Sequence, residues 1–496
     1  MQLNLNNISY TYPLAVEPVL AGVSATFPQG WTGIVGDNGA GKTTLALVAC
    51  GLLAPDAGSV TPALVAAYCT QDATEPPEAL EEFALAYDSE AIELRRDLDI
   101  ADDWPWRYAT LSGGQQKRLQ IACALWRTPD MLVLDEPTNH VDATTRKVIE
   151  HALAGFRGVG LLISHDRALL DALCSQCLFV SADGVTMRPG GYSQASGQAA
   201  IERQSAVRAH EEARREQRRI AREAQRRREE AAQKESGRSL RGIAKHDNDA
   251  RHKKRAAIVW GTDGIAAHQS ARMEARLAKA DAQAASTAVA RRYDANIWLD
   301  ARPSRRPVLL RMEEGVLEHD TWSLAYPPLY VGNTDHIALV GDNGSGKTTL
   351  VKSLVDQLSE GTRYLYVPQE PTEAQRTEVL MRLIGLSAIE RGRALSVVAQ
   401  LNSDPDRVLE GDVVSPGELR KLMLALGILD SPELIIMDEP TNHLDLGSTE
   451  ALERLLAGYP GALLLVSHDA ALLGATTTIT WSIEQRGSQA WQLTVR

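Results

Sequence analysis

Nine residues, Gly36-Asp37-Asn38-Gly39-Ala40-Gly41-Lys42-Thr43-Thr44, return as Gly341-Asp342-Asn343-Gly344-Ser345-Gly346-Lys347-Thr348-Thr349, identical at eight of nine positions. In the first copy the apolar run Trp31 to Val35 reads as a buried strand leading into the loop, and Leu45 to Leu53 reads as a helix leaving it. Glycines let consecutive backbone N–H groups curl around an anion without Cβ clashes, and the helix N-terminus adds partial positive charge. Strand, loop and helix together predict a phosphate cradle shaped by Gly36, Asn38, Gly39 and Gly41 and, in the repeat, by Gly341, Asn343, Gly344 and Gly346. Lys42 and Lys347 are expected to reach the β- and γ-phosphates of a nucleotide. The Thr43 and Thr348 hydroxyls are expected to ligate Mg²⁺, with Thr44 and Thr349 beside them.

Other strand ends converge on the same chemistry. Met131 to Leu134 is an apolar run ending in Asp135 and Glu136, and Leu434 to Met437 ends likewise in Asp438 and Glu439. The aspartates suit a metal ion and the glutamates suit polarising an attacking water. Leu161 to Ser164 leads to His165, whose counterpart is His468. Ser112 reads as an N-cap, and the Gly113-Gly114 pair after it is poor helix material better suited to receiving phosphate. The lysine-to-glutamate interval is 94 residues in the first copy and 92 in the second, so the chain is a tandem duplication.

The first copy as a set resembles a complete ATP-binding cassette: phosphate loop (36–44), Gln71, the Leu-Ser-Gly-Gly-Gln signature (111–115), the acidic strand end (131–136), Asp142 and His165. Gln369, Ser415, Gly417, Glu418, Asp445 and His468 follow in the same order in the second. The resemblance implies ATP and Mg²⁺ as cofactors and ATP hydrolysis as the activity. It implies two α/β P-loop domains facing head to tail, with Lys42, Thr43, Asp135 and Glu136 meeting Ser415 and Gly417, and Lys347, Thr348, Asp438 and Glu439 meeting Ser112, Gly113 and Gly114. Gln115 belongs to the same signature, and Gln71 and Gln369 would join the metal site. Two departures stand out. Pro416 has no backbone N–H for a phosphate, though proline is comfortable at a first helical position. Tyr12 fits the adenine-stacking position of the first copy, whereas Glu314 to His319 offers no aromatic in the second.

Between the copies, residues 201–310 carry 26 Lys and Arg against 15 Asp and Glu, a net of +11 in a chain whose total is −12, so the remainder carries about −23. Polyanion contact should therefore be confined to this stretch. Ala206, Ala209, Ala213, Ile220, Ala224 and Ala231, then Met273, Leu277, Ala280, Ala284 and Ala288, recur at helical spacing. They predict two helices of about 30 residues, about 45 Å each at 1.5 Å per residue, paired antiparallel. The tip, from about Ser236 to Gly264, includes Arg251, Lys253, Lys254, Arg255 and Trp260, residue types suited to phosphate contact and base stacking. Expected boundaries are 1–195 and 308–496 for the cassettes and 196–307 for a basic helical hairpin.

Asn139-His140 and Asn442-His443, after the acidic strand ends, are similar to the F subfamily of ATP-binding cassette proteins, which are twin-cassette chains without membrane domains. This implies a ribosome-associated translation factor of the cytoplasm whose linker (201–307) touches tRNA and ribosomal RNA, with both cassettes supplied by one monomeric chain. Gln71 to Ser112 spans 41 residues and Gln369 to Ser415 spans 46, with no room for an inserted arm. The runner-up, a fused pair of importer subunits, has no use for a basic connector. A DNA-repair cassette ATPase would need a coiled-coil insertion or zinc cluster, and neither is evident. The N-terminus lacks signal-peptide order and no apolar run approaches a membrane span, so a soluble globular protein is expected. Five cysteines include a Cys174-x-x-Cys177 pair, read as buried thiols because no second Cys or His pair stands at zinc spacing.

Overall fold

The computed structural model describes residues 1–496 except 14, 140, 182–183, 239–248, 250–251, 253–262, 288–300, 320–321, 406–414 and 488, and describes backbone alone in 230–238 and 263–271. Most of the basic tip, including Arg251, Lys253, Lys254, Arg255 and Trp260, lies outside the described residues, as do His140, Ala288 and Val414, and Ala231 is described by its backbone alone.

In the first cassette the central sheet runs in the order Ala66–Cys69, Met131–Asp135, Val159–Ile163, Gly30–Gly36, Cys174–Ser181, Gly184–Pro189, parallel except for the last pairing. Met131–Asp135 and Val159–Ile163 are buried at every residue, as parallel strands covered on both faces must be. Alternation sends Met131 and Val133 into one core with Leu3, Phe27 and Leu45, and Leu132 and Leu134 into the other with Leu119, Ile149 and Leu170. A three-stranded antiparallel sheet (Leu20–Pro28, Gln2–Tyr10, Ala57–Thr61) covers the first of these cores. The C-terminal ends of the parallel strands therefore meet along one edge, where ligands bind in open α/β sheets.

The second cassette repeats this on an eight-stranded sheet in which Ile479–Gln485, His336–Gly341, Ala462–Val466, Leu434–Asp438 and Tyr364–Val367 pair in parallel in that order, with Tyr364–Val367 at the edge. Among the described residues the largest fully buried side chain is Trp481, beside Leu339 in the sheet register.

All five cysteines are free, and Cys174 and Cys177 are buried against Gly33. Burial pushes the Cys69, Cys123 and Cys177 thiols up to about 12. Their contribution to stability is complete below the ordinary thiol range near 9 and lost as pH rises towards 12. A thiol reagent at pH 8 is accordingly expected to leave these sites unlabelled in the native chain and to titrate all five cysteines once it is denatured.

The segment Ser196–Arg291 forms a compact unit of its own. Its long helices among the described residues are Tyr192–Arg238, 47 residues, and Asp263–Ser286, 24 residues, rather than two of equal length. The first runs on because no Pro and only Gly197 and Gly237 interrupt its good helix formers. Ile220 and Ala224 bury against Met273, Leu277 and Ala280, and pairings of His210 with Thr287, Gln217 with Asp281 and Arg228 with Glu274 give the antiparallel register. Ala206 and Ala209, placed on this seam by periodicity, are exposed. His210 to Thr287 is the last pairing among the described residues. The exposed ion pairs contribute little, about 0–1 kcal/mol each, so the small apolar seam holds the hairpin.

Candidate functional site

Each phosphate loop ends on a left-handed glycine that caps its helix: Gly41 (φ 92) before Lys42–Ala49 and Gly346 (φ 89) before Lys347–Asp356. Neither helix has a side-chain cap at its N-terminus, so its first N–H groups remain available to an anion. Lys42 Nζ arches back to the Gly36 and Asp37 carbonyls at 2.8 and 3.0 Å. Lys347 does the same to Gly341 and Asp342 at 2.6 and 3.0 Å and lies 3.3 Å from His468 Nε2. Burial lowers the pKa of both lysines, opposed chiefly by Glu136 and Glu439 respectively.

The threonine hydroxyls donate to the strand-end aspartates, Thr43 Oγ1 to Asp135 Oδ2 at 2.8 Å and Thr348 Oγ1 to Asp438 Oδ2 at 2.8 Å. Tyr68 also donates to Asp135 Oδ2, at 3.0 Å, and burial followed by that carboxylate holds its phenol well above the usual range. The next residues, Glu136 and Glu439, both have φ 47, a strained conformation for glutamate that the surrounding fold must impose. Burial pushes Glu136 up to about 8 and Glu439 up to about 7. It pushes His165 and His468 down to about 4, so both imidazoles are neutral at physiological pH. His165 donates its backbone N–H to Glu136 Oε2 at 3.2 Å, and its Nε2 lies 3.2 Å from Oε1; His468 Nε2 lies 3.5 Å from Glu439 Oε1. The Oε1 atoms of both glutamates are buried without a directed hydrogen bond, a place for a water.

Thr43 with Asp135, and Thr348 with Asp438, bring together hydroxyl and carboxylate oxygens, the donor type Mg²⁺ prefers, and Gln71 and Gln369 line the same cavity. Among the described residues no cluster of three or more His, Cys, Asp or Glu forms an all-protein metal cage.

Both loops open into one cavity of about 1020 Å³ between the cassettes. Its wall takes Asn38, Gly39, Gly41, Lys42, Thr43 and Thr44 from the first loop and Asn343, Gly344, Gly346, Lys347, Thr348 and Thr349 from the second. Gln71, Asp135, Glu136, Asp142 and His165 join them, with Gln369, Asp438, Glu439 and His468. Gly36 and Gly341 end the strands behind the wall. Asp445 instead bonds across the cassettes, accepting from the Asn38 backbone N–H at 3.2 Å. The two signatures are not placed alike. Ser415 and Gly417 line the cavity with Pro416, whereas Ser112, Gly113, Gly114 and Gln115 are not brought to its wall. Gln115 and Glu418 close capping boxes on Ser112 and Ser415, and Pro416 occupies the first helical turn without disrupting it.

Tyr12 lines the cavity, its hydroxyl 3.1 Å from Thr44 Oγ1. Glu314 to His319 holds no aromatic, and the ring beside the second loop is Trp322. This ring lies on the cavity wall, stacks on His319 at 5.5 Å, and sits so near the second loop that a Cβ on Gly346 would come within 2.6 Å of it. Tyr12 comes from the long connection between strands Gln2–Tyr10 and Leu20–Pro28, while only two residues separate Gly315–His319 from Trp322–Tyr326. The aromatic therefore arrives from the return strand, closer in sequence to the lysine. The signal was a tryptophan opening the strand after a two-residue hairpin. Trp322→Ala is expected to weaken nucleotide binding at the second loop by about 5- to 150-fold, since base stacking on an aromatic ring contributes about 1–3 kcal/mol. Trp322→Phe should recover most of it in titrations with a fluorescent adenine nucleotide.

Two phosphate loops on parallel sheets, each with a threonine–aspartate pair and a glutamate–histidine pair, define a twin-site P-loop nucleoside triphosphatase. A family profile described as ABC transporter matches residues 20–139 and again 328–442. The tylosin resistance ATP-binding protein TlrC of Streptomyces fradiae is 29% identical over 94% of this chain and 94% of its own. The ribosome protection protein VmlR of Bacillus subtilis is 28% identical over 98% of this chain and 87% of its own. Among solved structures, an archaeal ribosome recycling factor crystallised with a ribosomal stalk protein superposes with a TM-score of 0.63 at 18% identity, over 98% of this chain and 89% of that one, a likeness of fold. The chain belongs to the ATP-binding cassette family, in its F subfamily of twin-cassette proteins, and is an ATPase.

Proposed function

We propose that this ATPase binds the ribosome with ATP and Mg²⁺ in both sites and acts on translation in the tRNA and peptidyl-transferase region through its basic linker, as a ribosome protection factor. The observation that carries the reading is the pairing of two nucleotide sites with a helical hairpin in a stretch of net charge +11 on an otherwise acidic chain. The names of the tylosin-resistance and ribosome-protection relatives support it. No helix among the described residues is long and apolar enough to cross a membrane.

Within each site Lys42 and Lys347 bind phosphate, and Thr43 with Asp135 and Gln71, and Thr348 with Asp438 and Gln369, hold the metal. Bound Mg²⁺ would neutralise charge developing between the β- and γ-phosphates. Glu136 and Glu439 orient and polarise the attacking water, with His165 and His468 positioned against their carboxyls. Hydrolysis then releases the closed cassettes and the ribosome with them.

Replacing Arg251, Lys253, Lys254 and Arg255 by alanine is expected to weaken ribosome binding and reduce the log–log salt slope by up to about 3, with basal ATPase nearly unchanged. Pelleting with ribosomes across a salt series measures it. Equal loss of both activities would assign the linker to folding instead.

A further inference from the structure

The two nucleotide sites differ in the contacts that close them, and the difference lies in residues outside the shared motifs. Around the first phosphate loop, residues outside the shared motifs bond across the cassettes. Asn402 donates from Nδ2 to Asp37 Oδ1 at 2.9 Å. Nearby, Arg167 pairs with Glu453 at 2.8 Å, both largely buried. Asn402 approaches Asp37 over Gly447, where a Cβ would come within 2.9 Å of the Asn402 amide and 3.5 Å of the Asp37 carboxylate.

The duplication shows what stands at the same places around the second loop. Asp99 and Asn402 lie the same distance ahead of Ser112 and Ser415, each follows a leucine that ends a helix, and each is left-handed, with φ 48 and 59. Asp99 is a carboxylate bonded to Arg118 at 3.0 Å. It has no hydrogen to donate to Asp342, the counterpart of Asp37, and like charges repel. By the same register Thr144 replaces Gly447, and Ala470 replaces Arg167 opposite Glu150, the counterpart of Glu453. The cavity wall agrees, taking the second signature and not the first.

We infer that Asn402, Gly447 and Arg167 are positioning residues that pre-assemble the first nucleotide site, while Asp99, Thr144 and Ala470 leave the second as the site that opens and closes during turnover. The inference rests on reading both loops as nucleotide sites, not on the ribosomal reading. Exchange of ATP at the second site then gates the cycle, and the first loop stays engaged between turnovers.

Hydrogen exchange on the nucleotide-free full chain, followed by mass spectrometry, tests this without depending on nucleotide. Peptides covering the first loop should exchange about tenfold or more slower than those covering the second, because local opening there must break charge-assisted bonds. Asn402→Ala with Gly447→Thr should abolish that difference. Transplanting the contacts, with Asp99→Asn, Thr144→Gly and Ala470→Arg, should slow exchange in the second loop. The transplant is a gain that misfolding would not mimic. Equal protection of the two loops in the unsubstituted chain, or a second loop unmoved by the transplant, would overturn the inference. Loss of ATP binding with the exchange pattern intact would instead count against the nucleotide reading.

Discussion

Changing Glu136 and Glu439 together to glutamine is expected to lower ATP turnover by about 10²- to 10⁴-fold, the usual worth of a positioned general base, while ATP binding persists. Glutamine keeps the shape of the buried carboxyl and its contact with the histidine, but cannot accept the proton of the attacking water. The nucleotide-free protein should show a second consequence. Folding raises Glu136 to about 8 and Glu439 to about 7, chiefly through burial. The neutral carboxyls therefore contribute stability that is complete below the unfolded value near 4.5 and lost as pH rises through 7 and 8. The double variant, which cannot ionise, should match the parent's Tm near pH 4.5 and exceed it above pH 8. Thermal melts at the two pH values, run without nucleotide, measure this. An unchanged Tm difference across that range would show that the carboxyls are not held neutral by burial.

The second large effect concerns the lysines. Lys42→Met is expected to reduce turnover by about 10²- to 10³-fold at the first site, comparable to losing one charge-stabilising donor in an enclosed active site. The side chain is buried and folded back on the Gly36 and Asp37 carbonyls, so it meets phosphate already oriented. Lys347→Met should act likewise on the second site, where the lysine also approaches His468. Single-turnover measurements on each variant separate the two sites. A variant of either lysine with wild-type single-turnover rates would remove that loop from the catalytic scheme.

The motifs made most of the fold legible because each ties a local backbone demand to a chemical one. Gly41 and Gly346 must be glycine for the left-handed cap, and Asp135 and Asp438 must end buried strands to meet a threonine hydroxyl. The core strands were equally plain, since Val159–Ile163 and Ala462–Val466 are apolar throughout. What remained hidden depends on loop length and on contacts between the copies. Trp322 escaped a fixed offset because its hairpin is shorter than the one that carries Tyr12. Asn402, Gly447 and Arg167 belong to no motif, and their meaning appears only when Asp37 and Glu453 of the opposite cassettes are seen beside them. Capping also resolves an ambiguity: the third residue after each signature serine serves its own helix, so glutamine and glutamate are interchangeable there.

Under the proposed function, ATP in both sites places this chain on the ribosome. Pelleting the Glu136→Gln, Glu439→Gln chain through a sucrose cushion with 70S-type ribosomes measures this. Stable co-sedimentation with ATP and Mg²⁺, and release when ADP replaces ATP, is the result expected. Absence of the trapped chain from the ribosome pellet at low salt with saturating ATP would contradict it.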